Sequence, residues 1–268
     1  MWKALSSLLA FNLLVSTSMA QLELVLVDSF KCEGSIVESD GLGHLYVVDG
    51  STLIKYNTKG EKLKQNSLSQ YGEITAIDMS NALKYVVFFG DFQQVLFLDN
   101  ELAERGTLLR LDQFANLFAS QVANSYNNGL WVYDNQASEL SRLDERFQVS
   151  NTSGNLLQQL RTNPTAYKII EYDNTLFMLD TNYGIRIFNR FAIHQKNFPI
   201  GKFIDFSPSK KGIFLLQENN ILYMDYISLE LTKLIDFEED ALSFSVINKK
   251  YFVLSKSGMK SYELRFTD

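Results

Sequence analysis

One short pattern recurs along the chain and limits the possible folds more than any other feature. An apolar strand ends in an acidic or polar turn, and a second, alternating strand follows and ends in Asp, Asn or Glu. Leu45-Tyr46-Val47-Val48-Asp49 leads in this way to Leu53-Ile54-Lys55-Tyr56-Asn57, and Tyr85-Val86-Val87-Phe88-Phe89-Gly90-Asp91 leads to Val95-Leu96-Phe97-Leu98-Asp99. Leu130-Trp131-Val132-Tyr133-Asp134 pairs with Leu140-Ser141-Arg142-Leu143-Asp144, and Leu176-Phe177-Met178-Leu179-Asp180 with Ile185-Arg186-Ile187-Phe188-Asn189. Two weaker copies end their apolar strands at Glu218 and Ser255. The turn positions 49, 91, 134, 180, 218 and 255 are separated by 42, 43, 46, 38 and 37 residues. A four-stranded propeller blade repeats about every 40 to 45 residues.

Most copies are preceded by another strand, as in Ser35-Ile36-Val37-Glu38, Ala166-Tyr167-Lys168-Ile169-Ile170 and Phe203-Ile204-Asp205-Phe206. Polar turns such as Asp40-Gly41-Leu42-Gly43 and Tyr126-Asn127-Asn128-Gly129 join it to the apolar strand, as hairpins require. A fourth strand follows, for instance at 231–237. Hairpin after hairpin with no helical stretch between them excludes a parallel α/β sheet. The expected fold is all-β, a six-bladed β-propeller of four-stranded blades. The sixth copy lacks one strand at the C-terminus, while residues 22–30 form an unassigned strand near the N-terminus. That segment is expected to complete the last blade as its outer strand and so fasten the ring.

Residues 1–20 read as a signal peptide. One lysine, Lys3, precedes an apolar run from Ala4 to Val15 that is too short to span a bilayer, and Ser18 and Ala20 place small residues before a cut ahead of Gln21. We expect export and cleavage, which leaves residues 21–268 as the propeller in the periplasm of a Gram-negative bacterium, possessing no lipidated cysteine. The lone Cys32 makes no intramolecular disulfide, so burial of apolar surface has to hold the domain together. The 25 basic and 31 acidic residues are scattered, giving a net charge of −6 and no basic footprint for nucleic acid.

Copies one and four resemble the blades of NHL-type propellers, in which an apolar strand ends in Asp, a short polar turn follows, and the next strand ends apolar-x-apolar-aromatic-Asn/Asp. Glu218 and Ser255 depart from that pattern. The resemblance implies a propeller used as a binding module, a scaffold or, in a minority of cases, an enzyme. Together with the leader, Gln21 at the mature end and the aromatic-rich blades, the chain resembles exported proteins of the Bacteroidetes type.

No nucleophile motif or phosphate-cradling loop is present, and the two histidines, His44 and His194, lie in different copies without an apparent local partner. No cofactor or metal is expected. The recurring Asp49, Asp91, Asp134 and Asp180 read as turn residues that accept backbone hydrogen bonds. Large side chains in turns gain little from a core, which singles out Phe92 and Tyr183 in matching turns of copies two and four, expected on one face of the disc. Phe114, Leu117 and Phe118 stand at helical i, i+3, i+4 spacing after Asp112 and would extend that apolar face. The sequence therefore points to a non-enzymatic protein-interaction module whose partner is an outer-membrane or periplasmic complex, with type 9 secretion the natural candidate. The alternative is a small-ligand protein or enzyme for a sugar or peptide, with its site at the channel mouth.

Overall fold

The structure is a computed structural model, and it describes residues 21–114 and 117–267. The chain enters on β1 (Gln21–Phe30) and then builds blade one from β2 (Ile36–Ser39), β3 (His44–Asp49), β4 (Thr52–Asn57) and β5 (Lys62–Ser67). Blade two contains β6 (Ala76–Asp78), β7 (Tyr85–Phe89), β8 (Gln94–Leu98) and β9 (Leu109–Arg110), followed by one helical turn, α1 (Leu111–Phe114). Blade three contains β10 (Ala119–Ser125), β11 (Gly129–Asp134), β12 (Glu139–Leu143) and β13 (Val149–Thr152), followed by α2 (Leu156–Leu160). Blade four is β14 (Ala166–Tyr172), β15 (Thr175–Asp180), β16 (Gly184–Asn189) and β17 (His194–Phe198). Blade five is β18 (Asp205–Pro208), β19 (Gly212–Leu216), β20 (Asn220–Asp225) and β21 (Leu231–Asp236). Blade six is β22 (Ala241–Ile247), β23 (Lys250–Ser255) and β24 (Gly258–Thr267), with β1 hydrogen-bonded as its fourth strand.

Six antiparallel four-stranded sheets thus form a β-propeller, and the N-terminal strand closes the last blade. β1 pairs along β24 from Gln21 opposite Thr267 to Phe30 opposite Met259, with one irregularity between Leu26 and Asp28. The first strand of every blade touches the first strands of its two neighbours, so β2, β6, β10, β14, β18 and β22 form the inner ring.

The second strands show why the apolar runs are continuous. Side chains alternate across a strand, and here both faces of each sheet are covered by the adjacent blades. Tyr46 and Val48 of β3 enter the core shared with blade two, while Leu45 and Val47 enter the core shared with blade six. Val86 and Phe88 of β7 pack towards blade three, and Tyr85, Val87 and Phe89 back towards blade one. The same split recurs in β11, β15, β19 and β23, giving six cores, one at each blade junction.

Antiparallel order fixes which turns share a face. Turns between first and second strands, and between third and fourth, open on what we term the far face. Turns between second and third strands, and the links between blades, open on the link face. On the far face the ends of five third strands repeat one device: Asn57, Asp99, Asp144, Asn189 and Asp225 each accept two turn amides on Oδ1. Of the aspartates at the ends of second strands, Asp134 and Asp180 accept backbone amides, whereas Asp49 is exposed as the last residue of β3 and Asp91 is exposed in a single 3-10 turn, Gly90–Phe92. Residues 1–20, read above as a leader, lie outside the described residues. Among the described residues no helix is long and apolar enough to cross a membrane.

Candidate functional site

The channel mouth is built from the starts of the six inner strands. Ser35, Thr75, Gln121, Tyr167, Ile204 and Leu242 surround a cavity of about 110 Å³, with Glu38, Lys168 and Asp205 at its base. Lys168 comes from blade four and lies opposite blade one across the axis. Its Nζ stands 2.5 Å from Glu38 Oε1 and 2.7 Å from Asp205 Oδ1. Asp205 Oδ2 accepts from Ser243 Oγ at 2.7 Å and from the Phe244 amide at 3.0 Å, and Ser243 Oγ accepts the Val37 amide at 3.2 Å. This network bridges blades one, four, five and six and blocks the channel with the protein's own side chains.

The two ends of the bridge differ electrostatically. Burial pushes the Glu38 carboxyl up, Lys168 pulls it down and Asp205 pushes it up again, leaving it at about 7. For Lys168, burial favours the neutral amine, but the two carboxylates outweigh it and hold the ammonium charged, well above the usual lysine range. These charged residues in otherwise apolar first strands are what inspection of the second and third strands alone passes over. The signal was present: Glu38 within Ile36–Ser39, Lys168 and Glu171 within Ala166–Tyr172, and Asp205 at the head of Asp205–Pro208.

Beside the mouth, a cleft of about 530 Å³ opens on the link face between blades four and five, lined by Thr181, Asn182, Lys202, Gln217, Glu218 and Asn219. The residues singled out from sequence divide around this face. Phe92 is 57% exposed in its 3-10 turn, with Gly72 placed so that an added Cβ would meet the Phe92 ring. Tyr183 is half-buried in the matching turn of blade four, with the Arg186 guanidinium 4.4 Å from its ring centroid. Phe118 is exposed in the link between blades two and three.

The expected helical stripe of Phe114, Leu117 and Phe118 does not form. The described helical turn is Leu111–Phe114, the Phe114 side chain lies outside the described residues, and Leu117 and Phe118 belong to neither helix nor strand. Neighbouring groups capture the amides that a longer helix would use. The Leu117 amide bonds back to the Leu111 carbonyl at 3.1 Å, Asp134 Oδ2 accepts the Phe118 amide and Gln93 Oε1 accepts that of Ala119. Leu117 consequently packs inward on the core of blades two and three, and Asp112 lies inside the helical turn rather than capping it. Among the described side chains of the set, Phe92, Phe118 and Tyr183 lie on the link face.

The histidines also have local partners, contrary to the sequence reading. His194 Nε2 lies 2.7 Å from Asn197 Oδ1, with its ring edge-on to Phe188. His44 Nδ1 lies 3.0 Å from Asp40 Oδ2, which also accepts from Tyr46 and Tyr85 at 2.8 and 2.7 Å. Burial alone would raise the Asp40 carboxyl, but the His44 amide and the Tyr85, Tyr46 and His44 side chains more than offset it and hold Asp40 below the usual carboxylate value. The Asp40 cluster fastens blade one to blade two rather than facing a cavity. Among the described residues, no group of three or more His, Cys, Asp or Glu side chains is placed to hold a metal ion.

A propeller with a blocked channel and loop-bearing faces is the class this geometry defines. No protein-family model and no curated protein matches the sequence. Among solved structures, the chain resembles a protein of unknown function from Bacteroides thetaiotaomicron, with 9% identity and a TM-score of 0.65, covering 91% of this chain and 72% of that one. It also resembles streptogramin B lyase, with 11% identity and a TM-score of 0.60 over 92% of this chain and 88% of that chain. A third likeness is to the Pan2 WD40 domain of Neurospora crassa, at 9% identity and a TM-score of 0.58 over 87% and 79% of the two chains. At these identities the likeness establishes the fold and no activity.

Proposed function

We propose that this chain is a non-enzymatic interaction scaffold, exported to the periplasm, that docks a protein partner on its link face. On this reading it is an NHL-like propeller of Bacteroidetes type and a subunit of an outer-membrane secretion or assembly complex, with type 9 secretion the leading candidate. The observation that carries the reading is the blocked channel: the Lys168 bridge leaves only about 110 Å³ at the mouth, whereas small-molecule sites usually offer at least about 300 Å³. Exposed Phe92 and Phe118 meanwhile stand on the surrounding rim, and exposed aromatic anchors are the side chains that dominate protein interfaces. The likeness to a WD40 domain is in keeping with a binding module.

The test is affinity capture from solubilised envelopes of the native host. A tag placed after Thr267 leaves the link face free, because β24 ends on the far face. A stoichiometric outer-membrane partner, lost on Phe92→Ser with Phe118→Ser, is the expected result. A monodisperse protein with no partner recovered after crosslinking overturns it.

One observation favours a second reading, a small polar ligand such as a sugar or peptide. The cleft between blades four and five offers about 530 Å³ lined by amides, a hydroxyl, a lysine and a carboxylate, and the likeness to streptogramin B lyase is in keeping with a propeller that acts on a small molecule. Saturable ligand binding abolished by Asn182→Ala would move the assignment there.

A further inference from the structure

The far face carries a feature that neither reading uses. In blades one to four, the third-to-fourth-strand turn places one residue in the left-handed region: Gly60, Leu102, Phe147 and Ala192, at φ between 55° and 80°. Left-handed backbone is costly for a side chain with Cβ, and packing offsets that cost where such residues occur. Leu102 and Ala192 are buried, and Phe147 stacks on Phe97 with ring centroids 5.3 Å apart. Blade five breaks this pattern. Leu229 is left-handed at φ 58° yet 52% exposed, and Ile227, two residues earlier, is 95% exposed. Blade four, its neighbour, presents Phe191 and Ile193, both exposed, in its own matching turn. Backbone strain and apolar exposure at one residue, with no core to offset either, mark a surface kept for contact.

The surroundings indicate what kind of contact. Arg190 adjoins Phe191, Lys210 and Lys211 occupy the other far-face turn of blade five, and Lys249 occupies that of blade six, all exposed. The acids of the far-face turns of blades four and five are Asp173, Asp225 and Glu230, of which Asp225 is engaged by the Ile227 and Ser228 amides. The apolar side chains stand at the tips of convex turns, which suits a fluid apolar phase that can close around each tip.

We propose that the far face of blades four and five seats on an anionic phospholipid surface, with Phe191, Ile193, Ile227 and Leu229 dipping into the headgroup boundary and the neighbouring basic residues meeting lipid phosphates. The proposal is independent of the link-face reading and leaves that face directed away from the membrane.

The test is co-sedimentation of the chain from Gln21 onward, which contains every strand of the ring, with vesicles of phosphatidylcholine alone or mixed in equal parts with phosphatidylglycerol. The chain sediments with the anionic vesicles, and less so as salt is raised. Ile227→Ser combined with Phe191→Ser weakens partitioning by about tenfold or more, since each buried apolar side chain contributes that order of effect. Phe92→Ser, on the opposite face, changes nothing. Equal sedimentation of parent and double variant, or none with anionic vesicles, overturns the proposal. So does a photo-crosslinker in place of Ile227 that captures a protein and no lipid in host envelopes. Unchanged urea midpoints for the variants separate these outcomes from misfolding.

Discussion

Lys168 and Glu38 come from opposite blades and meet across the propeller axis, Nζ to Oε1 at 2.5 Å. With Asp205 as the second carboxylate, this single ammonium holds the inner ring at its centre. Lys168→Met leaves two buried carboxylates without their cation. Breaking a buried pair in this way costs about 3 to 5 kcal/mol, because the charge left behind is uncompensated. Adding Glu38→Gln restores part of the loss. Urea unfolding of the parent, the single and the double variant measures both steps, and a single variant within about 0.5 kcal/mol of the parent would sink the idea.

The same pair sets a pH dependence. Burial lifts Glu38 from the ordinary 4.5 to about 7 in the folded chain. Between those values the native protein holds a proton that the unfolded chain has released, so this group adds stability as pH falls through 7 and levels off near 4.5. The urea midpoint is therefore higher at pH 5 than at pH 8, and Glu38→Gln flattens the slope. Parallel profiles for the two proteins would contradict the assignment. Asp40 acts in the opposite sense and in a lower window. Its folded value lies below 3.8, so its contribution is present above that pH and is lost as acidity increases further.

Tyr85 donates to Asp40 and lies 2.8 Å from the Tyr46 hydroxyl across the junction of blades one and two. Tyr85→Phe removes these bonds while keeping the ring in the core, for a loss of about 1 to 2 kcal/mol. Asp40→Ala removes the acceptor the two hydroxyls share and strands the turn amides of Leu42 and His44, and costs more. Thermal unfolding should rank parent, Tyr85→Phe and Asp40→Ala in that order.

Closure of the ring depends on β1. A chain that begins at Lys31 loses the strand paired along β24 and exposes its edge, a template for pairing between molecules. It also removes Leu24 from the core of blades five and six and Phe30 from its contact with Tyr56, 5.6 Å between ring centroids. Size-exclusion chromatography with a dye for exposed apolar surface should show an associating, dye-binding species. A monomeric truncation with the parent's unfolding midpoint would contradict this.

Leu229→Gly separates stability from contact. Glycine accepts φ 58° without a Cβ clash, so the ring gains up to about 1 kcal/mol, offset in part by greater freedom of the unfolded chain. The same change removes an exposed apolar side chain and weakens vesicle binding. Higher stability with lower binding is the expected pair of results, and a destabilised variant would show that Leu229 is held by packing after all.

The apolar second strands, the period of the repeat and the N-terminal strand matched to the incomplete sixth copy were enough to derive the ring. The reason is physical: a blade buried on both faces needs an unbroken run such as Tyr85 to Phe89, and a closed ring needs every copy complete. The turn amides of Gln136, Ala137 and Asn182 that Asp134 and Asp180 accept were legible in the sequence because they are local. Contacts between blades were decided only in three dimensions. Glu38, Lys168 and Asp205 are brought together by the circular order of inner strands, which no spacing in the chain encodes. The helical stripe through Leu117 and Phe118 failed for the same kind of reason, since Asp134, from outside that segment, takes up the Phe118 amide. Local pattern determined each blade; the tertiary structure decided which side chains meet at the axis and which remain exposed at the turns.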